Sequence, residues 1–369
     1  MKVAIVCDWL TNVGGAEKVL LKVHQLFPDA PIYTSKYSPK GIDWFLDADV
    51  RTGWMQVFPS FLRRFLGPFR QIYFSHLNLS GYDLVISVTG AEAKAVKVPD
   101  GVHISYCHAP TQYYWQLYDD YIRDPGFGKL NPVIRFFFRI LVGPLRKADF
   151  RSAGKVDCFV TISEYAKDLI LKYYKRKAVV IHPPVEISDF KIKAGKKDVD
   201  KVVENFYVVT SRQVNWKRID LAIKACLQLK QRLIVIGEGP EHNELMNIAK
   251  GSDLIEFLPL MSKGELKKYL VKAKGYLFPS KEPFGIAPVE ALAAGCPVIA
   301  YREGGARDYV INGKNGVLFD GQNAKSLVLA MKKFEKMKFN RLDVAKTAKG
   351  FGEKRFDKEL MGFINEKVK

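Results

Sequence analysis

Short apolar runs alternate with amphipathic stretches along the whole chain. Residues 2–7 are nearly all apolar, as in a strand buried on both faces. A turn at 12–15 and a helical pattern over 16–27 follow. The strand signal returns at 82–88, 102–106, 158–162 and 178–182, with helical patterns between some of these runs. After residue 200 a second series starts: strands at 206–210, 232–237, 255–258, 275–279 and 297–301, helices from Ile219, Glu241, Lys263 and Pro288. Strands separated by helices of this length predict parallel sheets covered on both faces, an α/β architecture. Two such series predict two doubly wound, Rossmann-like domains.

Between the series, residues 191–204 (KIKAGKKDVDKVVE) are polar and lysine-rich, as a linker or insertion is. The predicted division is a first domain over 1–186 and a second over 187–350. A terminal amphipathic helix over 351–369, with Phe351, Phe356, Leu360 and Ile364 on one face, returns to the first. Composition agrees with two folded domains: 48% hydrophobic and 26% charged residues over 369 positions exclude disorder, collagen-like repeats and coiled coil as the main theme. The five cysteines (Cys7, Cys107, Cys158, Cys226, Cys296) are scattered and never form C-x-x-C, so they read as small buried hydrophobes in a reducing compartment. The opening MKVAIVCDWL lacks a signal peptide's long apolar run and cleavage site, and no stretch of about 18 apolar residues follows. The expectation is a cytoplasmic protein, soluble or peripheral.

Charge widens the choice of partners. The net charge is +19, with 24 basic against 18 acidic residues in 1–190 and 34 against 21 in 191–369. Nucleic acid, an anionic membrane surface and a phosphorylated substrate all fit.

Three segments carry candidate chemistry. Gly14 and Gly15 sit between the first strand and first helix, where a backbone can approach a ligand and free N–H groups can meet an anion. They do not form G-x-G-x-x-G, so a dinucleotide fingerprint fails. Arg212, Lys217 and Arg218 follow the first strand of the second series, at the sheet edge where such folds bind ligands, and suit a diphosphate. Glu282 and Glu290 lie eight positions apart, one in a strand–helix loop and the other in the first turn of the helix from Pro288. The amides around Phe284, Gly285 and Ile286 add donors there. Carboxylates so placed suit sugar hydroxyls better than a hydrolytic pair.

The Glu282-to-Glu290 segment resembles the E-x7-E signature of retaining GT-B glycosyltransferases of family 4. The Gly14-Gly15-Ala16-Glu17 turn, Ser163-Glu164, Pro183-Pro184-Val185, Arg212 with Lys217, and Gly237-Glu238-Gly239-Pro240 fall in that family's order. The resemblance implies a GT-B fold with two domains facing a cleft. It implies that Arg212 and Lys217 hold the donor diphosphate, that Glu290 binds the ribose, and that Glu282 with the amides of Phe284, Gly285 and Ile286 binds the donor sugar. Gly14 and Gly15 would lie near the phosphates. His108, in Tyr106-Cys107-His108-Ala109-Pro110, would face the transferred sugar. Residues 106–121 are similar to those of bacterial O-antigen and exopolysaccharide mannosyltransferases. The implied function is transfer of a hexose, mannose favoured, from a GDP- or UDP-sugar to a glycan or polyprenyl-linked acceptor in cell-surface polysaccharide (lipopolysaccharide) synthesis. No metal or other cofactor is expected, because cations and helix dipoles neutralise the leaving group.

The rivals are a metal-dependent glycosyltransferase using Asp47-Ala48-Asp49 or Asp198-Val199-Asp200, a basic nucleic-acid-binding protein, and an inactive carbohydrate-binding protein. No nucleic-acid-binding motif accompanies the charge. Two further segments suggest peripheral attachment to the inner face of the cell membrane. Residues 57–73 align Phe58, Phe61, Phe65, Phe69 and Ile72 on one helical face with Arg63, Arg64 and Arg70 as the only charges, and 133–147 carries four cations and no acid. Both also suit buried helices.

Overall fold

Every strand pairing among the described residues is parallel. The computed structural model describes residues 1–59, 66–123, 125, 128–192 and 203–368. The chain divides into two units, Met1–Pro183 with Asp357–Lys369, and Pro184–Phe356.

In the first unit the strands are β1 (Val3–Cys7), β2 (Ile32–Thr34), β3 (Val50–Arg51), β4 (Leu84–Thr89), β5 (Val102–Cys107), β6 (Cys158–Thr161) and β7 (Ala178–Val180), in the order β3-β2-β1-β4-β5-β6-β7. Its helices are α1 (Gly15–Leu26), α2 (Gly67–His76), α3 (Tyr118–Arg123), α4 (Asn131–Ala153) and α5 (Glu164–Tyr174). All six residues of β4 are buried, as a central parallel strand requires. α5 starts where the Ser163 hydroxyl accepts the Ala166 N–H at 3.0 Å and stops where Lys175 takes a left-handed conformation.

The second unit opens with α6 (Ile187–Phe190). Its strands β8 (Glu204–Thr210), β9 (Arg232–Ile236), β10 (Ile255–Leu258), β11 (Ala273–Phe278), β12 (Val298–Tyr301) and β13 (Gly316–Phe319) take the order β10-β9-β8-β11-β12-β13. The helices between and after them are α7 (Ile219–Leu229), α8 (His242–Ala249), α9 (Lys263–Lys272), α10 (Ile286–Ala293), α11 (Ala324–Glu335), α12 (Arg341–Thr347) and α13 (Glu353–Lys367). One face of this sheet builds its core from Val209, Val235, Leu277 and Ile299 against α7 and α11. α13 carries the chain back to the first unit, where Lys22 meets Asp357 at 3.4 Å.

The two parallel sheets and their order fulfil the predicted α/β doubly wound class. Several details differ. The strands β2, β3 and β13, two to four residues long, are not among those the sequence pattern predicts. α10 starts at Ile286, so Pro288 is its third residue, where a missing N–H costs nothing. Glu290 therefore begins the second turn instead of lying in the first. Phe351 falls before α13, in a short 3₁₀ turn, with its ring centre 6.0 Å from those of both Phe284 and Tyr309. Most of the lysine-rich 191–204 segment, including Asp198-Val199-Asp200, lies outside the described residues. Asp49 of the other acidic triplet pairs with Arg51 at 2.6 Å.

Residues 57–73 do not form one helix. Phe58 is extended, α2 starts at Gly67, and 60–65, with Arg63 and Arg64, lie outside the described residues. Arg70 does not face outward. It is 3% exposed and donates to Glu92 at 2.8 Å.

Among the described residues that pair is one of two ion pairs with both partners buried. Glu92 also accepts from Tyr113 (2.5 Å) and Tyr114 (3.0 Å). Nearby, Asp149 is fully buried and receives Lys94 (2.6 Å), Thr111 (2.9 Å), Trp115 (2.7 Å) and Tyr174 (2.8 Å). Such a pair is costly to break because the surviving charge is left without a partner. Asp149→Ala should therefore destabilise the first unit by about 3–5 kcal/mol. The double variant Lys94→Met/Asp149→Leu should lose less, because it leaves no unpaired charge, while Thr111, Trp115 and Tyr174 lose their acceptor in both. Urea unfolding read by hydrogen exchange at the β4 and β5 amides distinguishes them, and near-equal losses would refute the argument.

Candidate functional site

In the second unit, three loops at the C-terminal ends of β8, β9 and β11 bring the predicted residues together. The loop after β8 carries Arg212, which is exposed, and Lys217, which is half-buried. Between them Gln213 is fully buried. Its amide nitrogen donates to the Gly237 carbonyl at 2.5 Å, and its amide oxygen lies 2.8 Å from His242 Nδ1. Gly237 has φ +121°, and a Cβ there would lie 2.3 Å from the Ser211 carbonyl oxygen. Only glycine permits the β9–α8 turn to support the cationic loop so closely.

The loop after β11 holds Glu282. Lys217 Nζ lies 2.5 Å from Glu282 Oε2, and the Ser280 hydroxyl donates to Glu282 Oε1 at 2.8 Å. Cation and carboxylate are thus already paired, and both carboxylate oxygens are held. Gly285, at φ +90°, turns the chain into α10, so the amides of Gly285 and Ile286 lie at the helix N-terminus, which has no intrahelical acceptors for them. Phe284 is buried. Glu290, 8% exposed, lies inside α10. Both glutamates are close to Tyr276. Burial, and after it their negative charge, pushes the Tyr276 hydroxyl well above its ordinary pKa, while that hydroxyl bonds the Thr210 backbone at the end of β8.

A brace absent from the sequence reading fixes this loop. Gly304, at φ +126°, leaves no room for a Cβ beside the Glu282 carbonyl oxygen, 2.7 Å away. Gly305 N–H donates to that oxygen at 2.8 Å, and the Tyr309 hydroxyl donates to the Phe284 carbonyl at 2.8 Å. The adjacent glycines in Tyr301-Arg302-Glu303-Gly304-Gly305, after a strand, were the available signal.

In the first unit, Gly14 and Gly15 and His108 stand at the same sheet edge. Gly14 is extended and has no side chain to cap α1, whose first residue is Gly15. The Asp8 carboxylate accepts the Thr89 hydroxyl and the amides of Gly90, Ala91 and Ala93 at 2.8–3.1 Å, joining the ends of β1 and β4. Thr89 in turn accepts the His108 N–H at 2.8 Å. Burial lowers the His108 pKa to about 4, and its Nε2 is shielded from solvent with no partner among the described residues. The buried Glu92 and Asp149 networks hold the 111–115 segment that follows. The string Ala91-Glu92-Ala93-Lys94-Ala95-Val96, two charges inside an apolar run, was their sequence signal.

Residues 191–351 match the family model described as glycosyl transferases group 1. The match falls on the second unit and spans Arg212, Lys217, Glu282 and Glu290. The chain spans about half the length of the curated relatives it matches. An uncharacterized glycosyltransferase, MJ1178, of Methanocaldococcus jannaschii is 30% identical over 174 residues, 46% of this chain and 47% of that one. The α-1,3/1,6-mannosyltransferase ALG2 of Kluyveromyces lactis is 28% identical over 264 residues, 59% of this chain and 49% of that one. HepE of Anabaena, solved in complex with UDP, aligns over 99% of this chain and 100% of its own with a TM-score of 0.69 at 18% identity. That likeness bears on the fold, which is of GT-B type, with two Rossmann-like α/β units.

Burial likewise lowers His103 to about 4. A histidine whose pKa is lower folded than unfolded binds a proton more readily unfolded. Stability is then fully present above the unfolded value near 6.5 and is lost as pH falls toward 4. The imidazoles of His103 and His108 should stay neutral by NMR until pH is near 4, and the unfolding free energy should decline between pH 6.5 and 4. His108→Gln should flatten part of that decline. Titration of His108 near 6.5 would refute the assignment.

Proposed function

We propose that the protein is a retaining glycosyltransferase of family 4. It transfers a hexose, mannose favoured, from a nucleotide-diphosphate sugar to a glycan or polyprenyl-linked acceptor in cell-surface polysaccharide synthesis, at the cytoplasmic face of the membrane. The donor is held by the second unit and the acceptor by the first. The observation that carries the reading is the Lys217–Glu282 pair beside the α10 N-terminus, with Arg212 in the same loop as Lys217. This arrangement offers cations to a diphosphate and a carboxylate with backbone amides to the adjoining sugar.

In this reading Arg212, Lys217 and the α10 dipole stabilise the diphosphate as it leaves, so no metal is needed. Gly14 and Gly15 bring the α1 amides to the phosphates. Glu290 accepts from the ribose hydroxyls. Glu282 and the amides of Phe284, Gly285 and Ile286 orient the sugar. Neutral His108 adds a hydrogen bond to the transferred sugar without placing a cation beside the anomeric carbon, where positive charge develops. The departing phosphate oxygen takes the acceptor proton, so no enzymic nucleophile is required. The mannosyltransferase name of the Kluyveromyces lactis relative supports mannose and hence GDP. UDP is the second reading, favoured by the UDP complex of HepE. Thermal unfolding with GDP and UDP separates them, since a ligand at a hundred times its Kd stabilises by ~2.7 kcal/mol.

Arg212→Ala or Lys217→Ala should lower kcat/KM by roughly 10²–10³ each, with activity retained in EDTA. A strict requirement for Mg²⁺ or Mn²⁺ alongside near-normal variants would overturn the proposal.

The glutamates should separate by calorimetry with the free nucleoside diphosphate. Glu290→Gln should bind it more weakly. Glu282→Gln, which releases Lys217 from its carboxylate, should bind it at least as well as wild type while losing kcat. The reverse order would mean their roles are exchanged.

A further inference from the structure

α4 turns a hydrophobic side outward. Its inner side, through Val142, Leu145, Asp149 and Ser152, packs into the first unit. Its first half exposes Val133 (53%), Phe136 (62%), Phe137 (56%), Ile140 (56%) and Leu141 (41%). These residues span about 13 Å of helix, since each adds 1.5 Å. An ordinary surface helix presents charges there.

The exposed charges along α4 are all basic: Arg139 at the edge of the apolar patch, and Lys147 and Arg151 further along the same side. The helix's only acid, Asp149, is buried against Lys94. The acids of α3, Asp119 and Asp120, belong to a helix that meets α4 through Tyr118 and Phe138, on the inner flank. An apolar patch rimmed by cations complements an anionic bilayer, with aromatic groups among the acyl chains and cations at the headgroups. Among the described residues, no helix is long and apolar enough to cross a membrane. α4 can lie on a bilayer but cannot span it. A two-fold contact between copies would instead set one cationic rim against another.

We propose that the outward side of α4, from Val133 to Arg151, docks the first unit on an anionic lipid bilayer. The proposal deepens the reading of a lipid-linked acceptor and rests on it for the biological purpose, not for the physical argument. It places the contact on α4 rather than on residues 57–73, because Arg70 is committed to Glu92.

The test is co-sedimentation of the full chain with vesicles of phosphatidylcholine alone, or with roughly a third phosphatidylglycerol. Each arm is run at 0.1 M and 1 M salt, between which the Debye length falls from about 10 Å to about 3 Å. Wild type should bind only the anionic vesicles, and only at the lower salt. Each cation near the surface raises partitioning roughly five-fold, so Arg139→Gln/Lys147→Gln/Arg151→Gln should lose about a hundred-fold. Phe136→Ser/Phe137→Ser/Ile140→Ser should lose roughly ten-fold or more. These side chains face solvent, so both variants should keep the wild-type Tm.

Wild type that ignores anionic vesicles, or variants that bind as wild type does, would overturn the proposal. So would a wild-type dimer that the serine variant makes monomeric, because the face would then join copies. Calorimetry with GDP and UDP on the same variants reads the donor site alone. Normal nucleotide binding without vesicle binding defeats only the docking proposal, and vesicle binding without nucleotide binding defeats only the donor reading.

Discussion

Parallel pairing is the constraint from which the rest follows. Two parallel strands cannot be joined by a tight turn, so each pairing needs a crossover, and the helices of those crossovers cover both faces of the sheet. Nothing on a covered face is open to a ligand. The loops after β1, β4 and β5 in one unit, and after β8, β9 and β11 in the other, become the places for chemistry. Asp8, His108, Lys217 and Glu282 all follow a strand directly or within a few residues. The glycines at 237 and 304 belong to the same constraint. Several loops crowd one edge, and two of them approach so closely that a side chain would not fit.

Crowding charged loops together raises the question of what they do before a ligand arrives. The two units answer differently. In the first, the charges are buried permanently: Arg70 with Glu92, Lys94 with Asp149, each also bonded to tyrosine, threonine or tryptophan. Removing either partner leaves a charge in a medium that solvates it poorly, so these groups are suited to holding loops still. In the second, Lys217 and Glu282 retain 22% and 18% exposure. Water still reaches them, and the pair can open at modest cost. One arrangement makes a scaffold and the other an exchangeable site. The positive net charge conceals that difference.

The sequence made the second unit easier to read than the first. All of its strands except β13 show their apolar character in sequence, and its candidate residues lie in three short stretches, so the order of motifs located them. What it did not reveal was support supplied from elsewhere in the chain. Gly304 and Tyr309 act on Glu282 and its loop from the segment after β12, and no local period marks such a contact. The placement of Arg70 on an outward face within residues 57–73 failed for the same reason. Arg70 belongs to an aromatic and basic stretch, and only the fold reveals that Glu92, 22 positions away, removes it from the surface. The start of α10 was displaced by two residues because a proline tolerated at the third helical position looks, in sequence, like a first position, and that of α13 because the apolar Phe351 belongs to the 3₁₀ turn before it.

The Lys217–Glu282 contact also bears on selectivity. A cationic loop open to water attracts any anion, and a loop carrying +1 more than it needs would hold inorganic phosphate as readily as a larger ligand. Pairing Lys217 with a carboxylate sets a threshold: an incoming anion must replace Glu282 at Lys217, and Glu282 must then find donors of its own. A bare phosphate supplies the first exchange and not the second. A molecule carrying a diphosphate next to several hydroxyls supplies both, because the hydroxyls donate to the oxygens that Lys217 has left. Ser280 keeps Glu282 in place while that happens. The pair thus favours ligands that join the two chemistries in one molecule over those that carry either alone.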